Sequence, residues 1–335
     1  MSRHQHPAGH RRRFGHGRAA RLAVALLAAV TLGGCGLVSG SVMTDNVRPG
    51  PKAGYPSRPL SGAQLTVTSK EFTEQIILGQ MMGIVFEAAG AKVIDRTSIQ
   101  GSIGAREAVK SGTADAAYEY TGTGWITYLG HTKPIVDPHE QWKAVRDEDA
   151  KNGIVWLPAS KLNNTYALAL NSANLKKLGV RDLSDVAALS HKNPGAVTMC
   201  VENEFATRND GLPGMARAYG MQVPSANVRK MTGGVVYTET QKGTCALGEV
   251  FTTDGRIKAM HLHVLADDKH FFPNYNVAPE INAKALKKYP VLAPVTKALN
   301  NTVAQELNRK VDVDGEDPHE VAKNWLIQEG FIKEA

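Results

Sequence analysis

Six short segments gather the residues able to do chemistry. They are Ser69-Lys70-Glu71-Phe72-Thr73-Glu74-Gln75, Glu119-Tyr120-Thr121-Gly122-Thr123, Asn163-Asn164-Thr165-Tyr166, Glu204-Phe205-Ala206-Thr207-Arg208-Asn209-Asp210-Gly211, Phe251-Thr252-Thr253-Asp254-Gly255-Arg256 and Phe271-Phe272-Pro273-Asn274-Tyr275-Asn276. Aromatic faces, hydroxyls and cations recur, and no nucleophile stands beside an obvious base. That inventory suits holding a small polar molecule rather than breaking its bonds. The sequence has no GxSxG, HExxH or Walker A motif. The glycines of Tyr120-Thr-Gly-Thr-Gly124 miss the dinucleotide-binding spacing. His261 and His263 lack a third ligand in reach. Asp312, Asp314, Glu316 and Asp317 resemble a calcium loop loosely, with the glycine misplaced. No metal, cofactor or catalytic residue is expected.

A net charge of +7 on 335 residues would suggest an anionic partner. Six of those charges sit in the first 34 residues, at Arg3, Arg11, Arg12, Arg13, Arg18 and Arg21, with no acid among them. The remainder is close to neutral, so no nucleic-acid partner is expected. The basic stretch precedes an apolar run, Leu22–Leu32, too short to span a bilayer but suited to a signal peptide. Leu32-Gly33-Gly34-Cys35 resembles the lipobox of bacterial lipoproteins. Residues 1–34 are therefore expected to be cleaved and Cys35 lipidated. The chain from 35 to 63 is expected to be a flexible leash, because Gly, Pro and Ser fill 13 of the 28 positions from Gly36 to Ala63. In an exported protein the two other cysteines, Cys200 and Cys245, are expected to pair, each lying beside a predicted strand.

These segments must be positioned by a scaffold, and the pattern around them is α/β. Leu65–Thr68, Ala91–Asp95 and Ala114–Tyr118 read as strands. Helices of about Glu71–Ala89 and Gly104–Lys110 separate them, the first with Ile77, Met81, Ile84 and Ala88 on one stripe. This βαβαβ series implies a parallel sheet. A second series has strands near Tyr166–Leu170, Ala196–Met199, Ala246–Thr252 and His261–Leu265, and the tail from Ile281 reads as mostly helical. Two α/β units imply two lobes around a cleft, with ligand-contacting loops following the strands.

The segments TSKEFTEQIILGQ, SGTADAAYEYTGTG, NNTYALAL, EFATRNDGLPGM, FTTDGRI and FFPNYNVAPE, in this order, resemble the substrate-binding proteins of glycine betaine/carnitine/choline ABC transporters over roughly Leu65 to Ile332. The resemblance implies a two-lobed type II periplasmic-binding-protein fold. Lobe 1 would hold residues 64–165 and 272–335, and lobe 2 residues 166–271. It also implies a monomeric, lipid-anchored protein at the outer face of the cytoplasmic membrane, serving a permease driven by a cytoplasmic ATPase. By motif position Tyr120, Tyr166, Phe251 and Tyr275 match the family's aromatic cage. Lys70, Thr123 and Arg208 match its carboxylate contacts, and Gln75 and Asn164 stand at the cleft edge. Phe251 departs from the tyrosine common there, keeping the ring and losing the hydroxyl.

A quaternary ammonium has no N–H to donate, so it is selected by the negative faces of rings, at about 0.5–2 kcal/mol each. Four rings give roughly 2–8 kcal/mol, while micromolar affinity needs about 8. A zwitterion therefore needs its carboxylate held as well, by charge-assisted bonds of about 1.5–3 kcal/mol each. The alternative reading, an exported hydrolase of a small polar substrate, requires acid/base pairs converging on the cleft. Hinge crossings are expected near Asn164–Leu170 and Leu265–Phe272.

Overall fold

The computed structural model describes residues 40–285 and 290–335, so the expected signal segment, 1–34, and Cys35 lie outside the described residues. The expected leash is instead ordered from Gly40 onward. Ser41–Val42 forms strand β1 and Val47–Pro49 forms β2. Met43, Val47 and Leu60 are buried in the main core. These apolar residues follow no helical or strand period, which hides them among the glycines and prolines. Burying each contributes about 1.5–3 kcal/mol, which helps offset the cost of ordering the segment.

The first sheet is built as the βαβαβ pattern requires. Strand β3 (Gln64–Lys70) lies between β4 (Lys92–Ile99) and β5 (Ala116–Tyr120), parallel to both. Helix α1 (Thr73–Ala88) connects β3 to β4, and α2 (Gly101–Ser111) connects β4 to β5. Ile77, Met81, Ile84 and Ala88 are all buried, but so are Leu78, Met82, Val85 and Phe86 on other faces. The extra burial arises because α1 packs on β3 and β4 on one side and on the C-terminal helices on the other. Strand β1 pairs with the outer edge of β4, and β6 (Ile154–Trp156) closes the far edge.

The second sheet takes β7 (Tyr166–Leu170), β8 (Met199–Glu202), β9 (Val228–Met231), β10 (Leu247–Phe251) and β11 (His263–Val264), in the order β11-β7-β10-β8-β9. Strand β8 starts later than its pattern suggests, because Pro194–Ala196 is wound into a 3₁₀ turn. Strands β8 and β10 are parallel neighbours, with Met199 opposite Leu247. A disulfide joins Cys200 and Cys245 across them.

The chain then returns to the first sheet as β12 (Val277–Asn282), antiparallel to β5 and β6 and buried at every position. Its Pro279 and terminal Asn282 disguise it, and the helical tail begins after it rather than at Ile281. In that tail Leu292, Val295, Leu299, Val303 and Leu307 recur at helical spacing, yet they do not share one helix. Leu299 turns extended and separates Ala293–Ala298 from Asn301–Asp312. Helix Pro318–Gln328 packs on α1, and β13 (Ile332–Glu334) pairs with β2. Each of the two sheets belongs to one lobe. The chain crosses between them around Asn163, which bridges Asn276 on the return. Among the described residues no helix is long and apolar enough to cross a membrane.

Candidate functional site

A cleft of about 600 Å³ opens between the sheets, lined from both lobes. The strands explain what reaches it. Lys70 and Tyr120 are the last residues of β3 and β5, and Phe251 is the last of β10. Arg208 lies in the loop after β8. Asn164 and Tyr166 sit at the first crossing and Tyr275 on the return. Carboxyl ends of parallel strands are where open α/β sheets present ligand contacts.

Of the nine residues singled out in sequence, Tyr120, Tyr166, Phe251, Tyr275, Lys70, Thr123, Arg208 and Asn164 line this cleft. Gln75 is not among the lining residues. It is buried behind Lys70, whose backbone N–H it accepts at 3.4 Å.

The rings form one continuous wall. Tyr166 is 5.2 Å from Phe251 and 5.5 Å from Tyr275, centroid to centroid. Phe72, at the N-cap of α1, stands 5.0 Å from Phe251 and 6.2 Å from Tyr120. It thereby links two of the expected cage residues. Two protein cations face these rings. Lys70 Nζ is 4.7 Å from the centre of Tyr120, and the Arg208 guanidinium is 5.6 Å from that of Tyr166. The walls are therefore placed so that cations approach their faces.

Each cation is held in turn. Lys70 Nζ donates to Glu119 Oε1 at 2.7 Å. Arg208 forks onto Asp210 at 2.7 and 2.5 Å, and meets Glu204 at 3.3 Å. These ion pairs are not surface pairs, because the arginine itself is buried. Ser102, in the first turn of α2, accepts from Lys70 at 3.5 Å and from Arg208 at 3.4 Å. A hydroxyl between two cations is chemically suited to a carboxylate.

Glu74 lies beneath Tyr120 and is buried. It accepts four bonds: from Tyr120 Oη at 2.7 Å, Asn164 Nδ2 at 2.9 Å, Thr253 Oγ1 at 2.5 Å and Asn308 Nδ2 at 3.2 Å. Burial pushes its pKa up, and those four bonds pull it back. Tyr275 Oη likewise donates to Asp210 at 2.7 Å. Burial raises the pKa of Tyr120 and Tyr275 well above the ordinary phenol, so both keep their protons.

Around the rim the lining acids Glu71, Glu74, Glu202, Glu204, Asp254 and Asp312 outnumber the bases Lys70, Arg208 and Arg256. Burial, then Glu71 and Glu204, pushes Glu202 up to about 7. Such a cleft attracts a cation. It contains neither His nor Cys among the described lining residues, and its one Ser faces two cations rather than a base.

Sequence reasoning missed Phe72, Glu74, Ser102 and Asp210 as parts of the site. Asp210 stood inside one segment already singled out, and Phe72 and Glu74 inside another. Their spacing from Lys70 gives the signal, since a strand followed by a helix turns both back over the strand end. Ser102 carried none beyond its place at a helix start.

Two lobes, a cleft at their strand ends and a wall of rings with flanking cations define a solute-binding protein. The chain belongs to the family described as the substrate binding domain of ABC-type glycine betaine transport systems, whose model matches residues 63–328. It is 36% identical over 277 residues to the glycine-betaine-binding protein of Pseudomonas aeruginosa, covering 80% of this chain and 88% of that one. It is 29% identical over 281 residues to an ergothioneine transport permease/ergothioneine binding protein of Helicobacter pylori, covering 82% of this chain and 49% of that one. The chain thus spans about half of that relative. A solved structure titled glycine betaine/carnitine/choline ABC transporter superposes with a TM-score of 0.64 at 26% identity, over 80% of this chain and 99% of that one. These relatives are transport proteins rather than enzymes, and the hydrolase alternative is set aside.

Proposed function

We propose that this chain captures quaternary-ammonium osmoprotectants, such as glycine betaine, choline or carnitine, and delivers them to an ABC permease. The observation that carries this is the meeting of Tyr120, Tyr166, Phe251 and Tyr275 in one cleft with Lys70 and Arg208. The trimethylammonium group lies against the rings, displacing Lys70 from the face of Tyr120. Lys70, Ser102, Thr123 and Arg208 hold a carboxylate where the ligand has one. Asn164 stays at the crossing and steadies Glu74, and Gln75 supports Lys70 from behind. Entry occurs in an open form, and hinge motion at the two crossings closes the lobes.

The body is a monomer tethered by a lipid on Cys35 at the outer face of the cytoplasmic membrane. The closed form docks on the permease, which a cytoplasmic ATPase drives. A relative that combines permease and binding protein in one chain supports that pairing.

Calorimetry of glycine betaine, proline betaine, carnitine, choline and ectoine, with mass spectrometry of the recovered ligand, tests the reading. Saturable binding of at least one trimethylammonium compound, recovered intact, is expected. No binding by any of them, or turnover, sinks it. The intact mass of membrane-extracted protein should begin at a diacylglyceryl-modified Cys35, and an unmodified residue there removes the anchor.

A further inference from the structure

Glu74 differs from the acids that hold the two cations at the rings, Asp210 and Glu119. Its four hydrogen-bond partners, Tyr120, Asn164, Thr253 and Asn308, are all neutral. Among the described residues no Lys, Arg or His forms an ion pair with it. Asp210, the corresponding acid under Tyr275, spends its charge on Arg208. Glu119 spends its charge on Lys70. The two amide nitrogens, of Asn164 and Asn308, can only donate, one to each carboxylate oxygen, and with the two hydroxyls they favour the ionised carboxylate against the burial that raises its pKa. The side chain is only 4% exposed, so solvent screens its charge weakly.

We infer that Glu74 is a positioning residue that makes the Tyr120 ring a cation-selective wall. Its carboxylate fixes the ring through the 2.7 Å bond to the hydroxyl. It also draws the phenolic proton toward itself, which leaves more electron density on the ring face. That face is the one Lys70 Nζ already addresses at 4.7 Å. A ligand cation arriving there meets both an enriched ring and an uncompensated negative charge behind it. The same carboxylate ties Asn164 at the crossing to Thr253 on the second lobe, so the ring is set only when the lobes are together. This inference rests on the cage reading above.

The test is a double-mutant cycle between Glu74 and Tyr120, read as the dissociation constant for whichever quaternary ammonium the wild-type protein binds. Glu74→Gln is expected to weaken binding about tenfold. In a Tyr120→Phe background, which removes the hydroxyl and keeps the ring, the same change should cost less than about twofold. If Glu74 only glued the crossing to the second lobe, its loss would be equal in both backgrounds. Losses that multiply, or a Glu74→Gln protein within about twofold of wild type, overturn the inference.

Circular dichroism and the ligand-free melting temperature report whether each variant folds. Should Glu74→Gln fail, Glu74→Asp keeps the charge and withdraws it by one methylene, and the same cycle decides. The cage reading fails separately. It falls if the wild-type protein binds no quaternary ammonium, or if Tyr120→Ala leaves binding unchanged.

Discussion

Arg208 of the second lobe reaches across the cleft to Thr123 of the first, with Nη2 lying 3.3 Å from Oγ1. The same guanidinium is fixed by Asp210, so its other edge is aimed at Ser102 and Thr123 of the opposite lobe without a search over rotamers. A carboxylate at Ser102 would meet it preformed. Arg208→Ala should therefore weaken glycine betaine by tenfold to a hundredfold, for charge-assisted bonds of about 1.5–3 kcal/mol. Choline, with no carboxylate, should lose much less. Calorimetry on both ligands checks this, and an equal loss removes Arg208 from the carboxylate role.

The ring wall carries the second prediction. Tyr120 and Tyr275 stand at opposite ends of it, each hydrogen-bonded to a buried acid. Tyr120→Ala or Tyr275→Ala should weaken every quaternary ammonium by about tenfold or more, since each removes a desolvated cation–π contact and leaves its acid short of a donor. Unchanged dissociation constants in both variants would refute the cage assignment.

How far the sequence led can be judged at particular residues. Strand β7 is read residue for residue, because Tyr166–Leu170 is a bounded apolar run. Eight site residues converge because strand ends are where such loops meet. Two features stayed hidden. Strand β12 is invisible because a strand buried on both faces need not alternate, and Pro279 breaks its β pattern. The segment from Gly40 to Ala63 looked like a leash because its anchors Met43, Val47 and Leu60 are set by tertiary contacts rather than by any period. Glu74 was legible as a charge but not as a buried one, since burial depends on both lobes.

That ordered segment gives a prediction about pH. His319 on the C-terminal helix shares Nε2 with Asp45 Oδ1 at 2.7 Å, and Lys323 approaches the same carboxylate at 3.4 Å. Its other nitrogen meets Gln80 at 2.7 Å. The hydrogen bond to Asp45 raises the His319 pKa against an opposing effect of burial. A raised folded-state pKa gives stability that is complete below the unfolded value of about 6.5 and is lost as pH rises through the folded value. Asp45 is shifted the other way, so its share disappears only in acid. Amide exchange in residues 41–49 should quicken between neutral and mildly alkaline pH, beyond the intrinsic rate. His319→Gln should abolish that dependence, and a wild-type profile in the variant would exclude the histidine.

Gly122 provides the sharpest steric test of the site. A Cβ built there would lie 2.7 Å from the Tyr275 ring and 2.8 Å from the Asn274 carbonyl oxygen. Those separations are too short for carbon against either, so one neighbour must yield. The Asn274 carbonyl is the less free of the two, because Thr121 Oγ1 donates to it at 3.1 Å. The Tyr275 ring is then pushed toward Tyr166, which it meets edge-on at 5.5 Å. Gly122→Ala should lower affinity for quaternary ammonium ligands about tenfold, although no ring or charge has been removed. Its stability should fall by about 1–3 kcal/mol, the usual cost of overpacking. Calorimetry and urea denaturation measure the two effects. Wild-type affinity in a folded Gly122→Ala protein would mean that the Tyr275 ring does not touch the ligand.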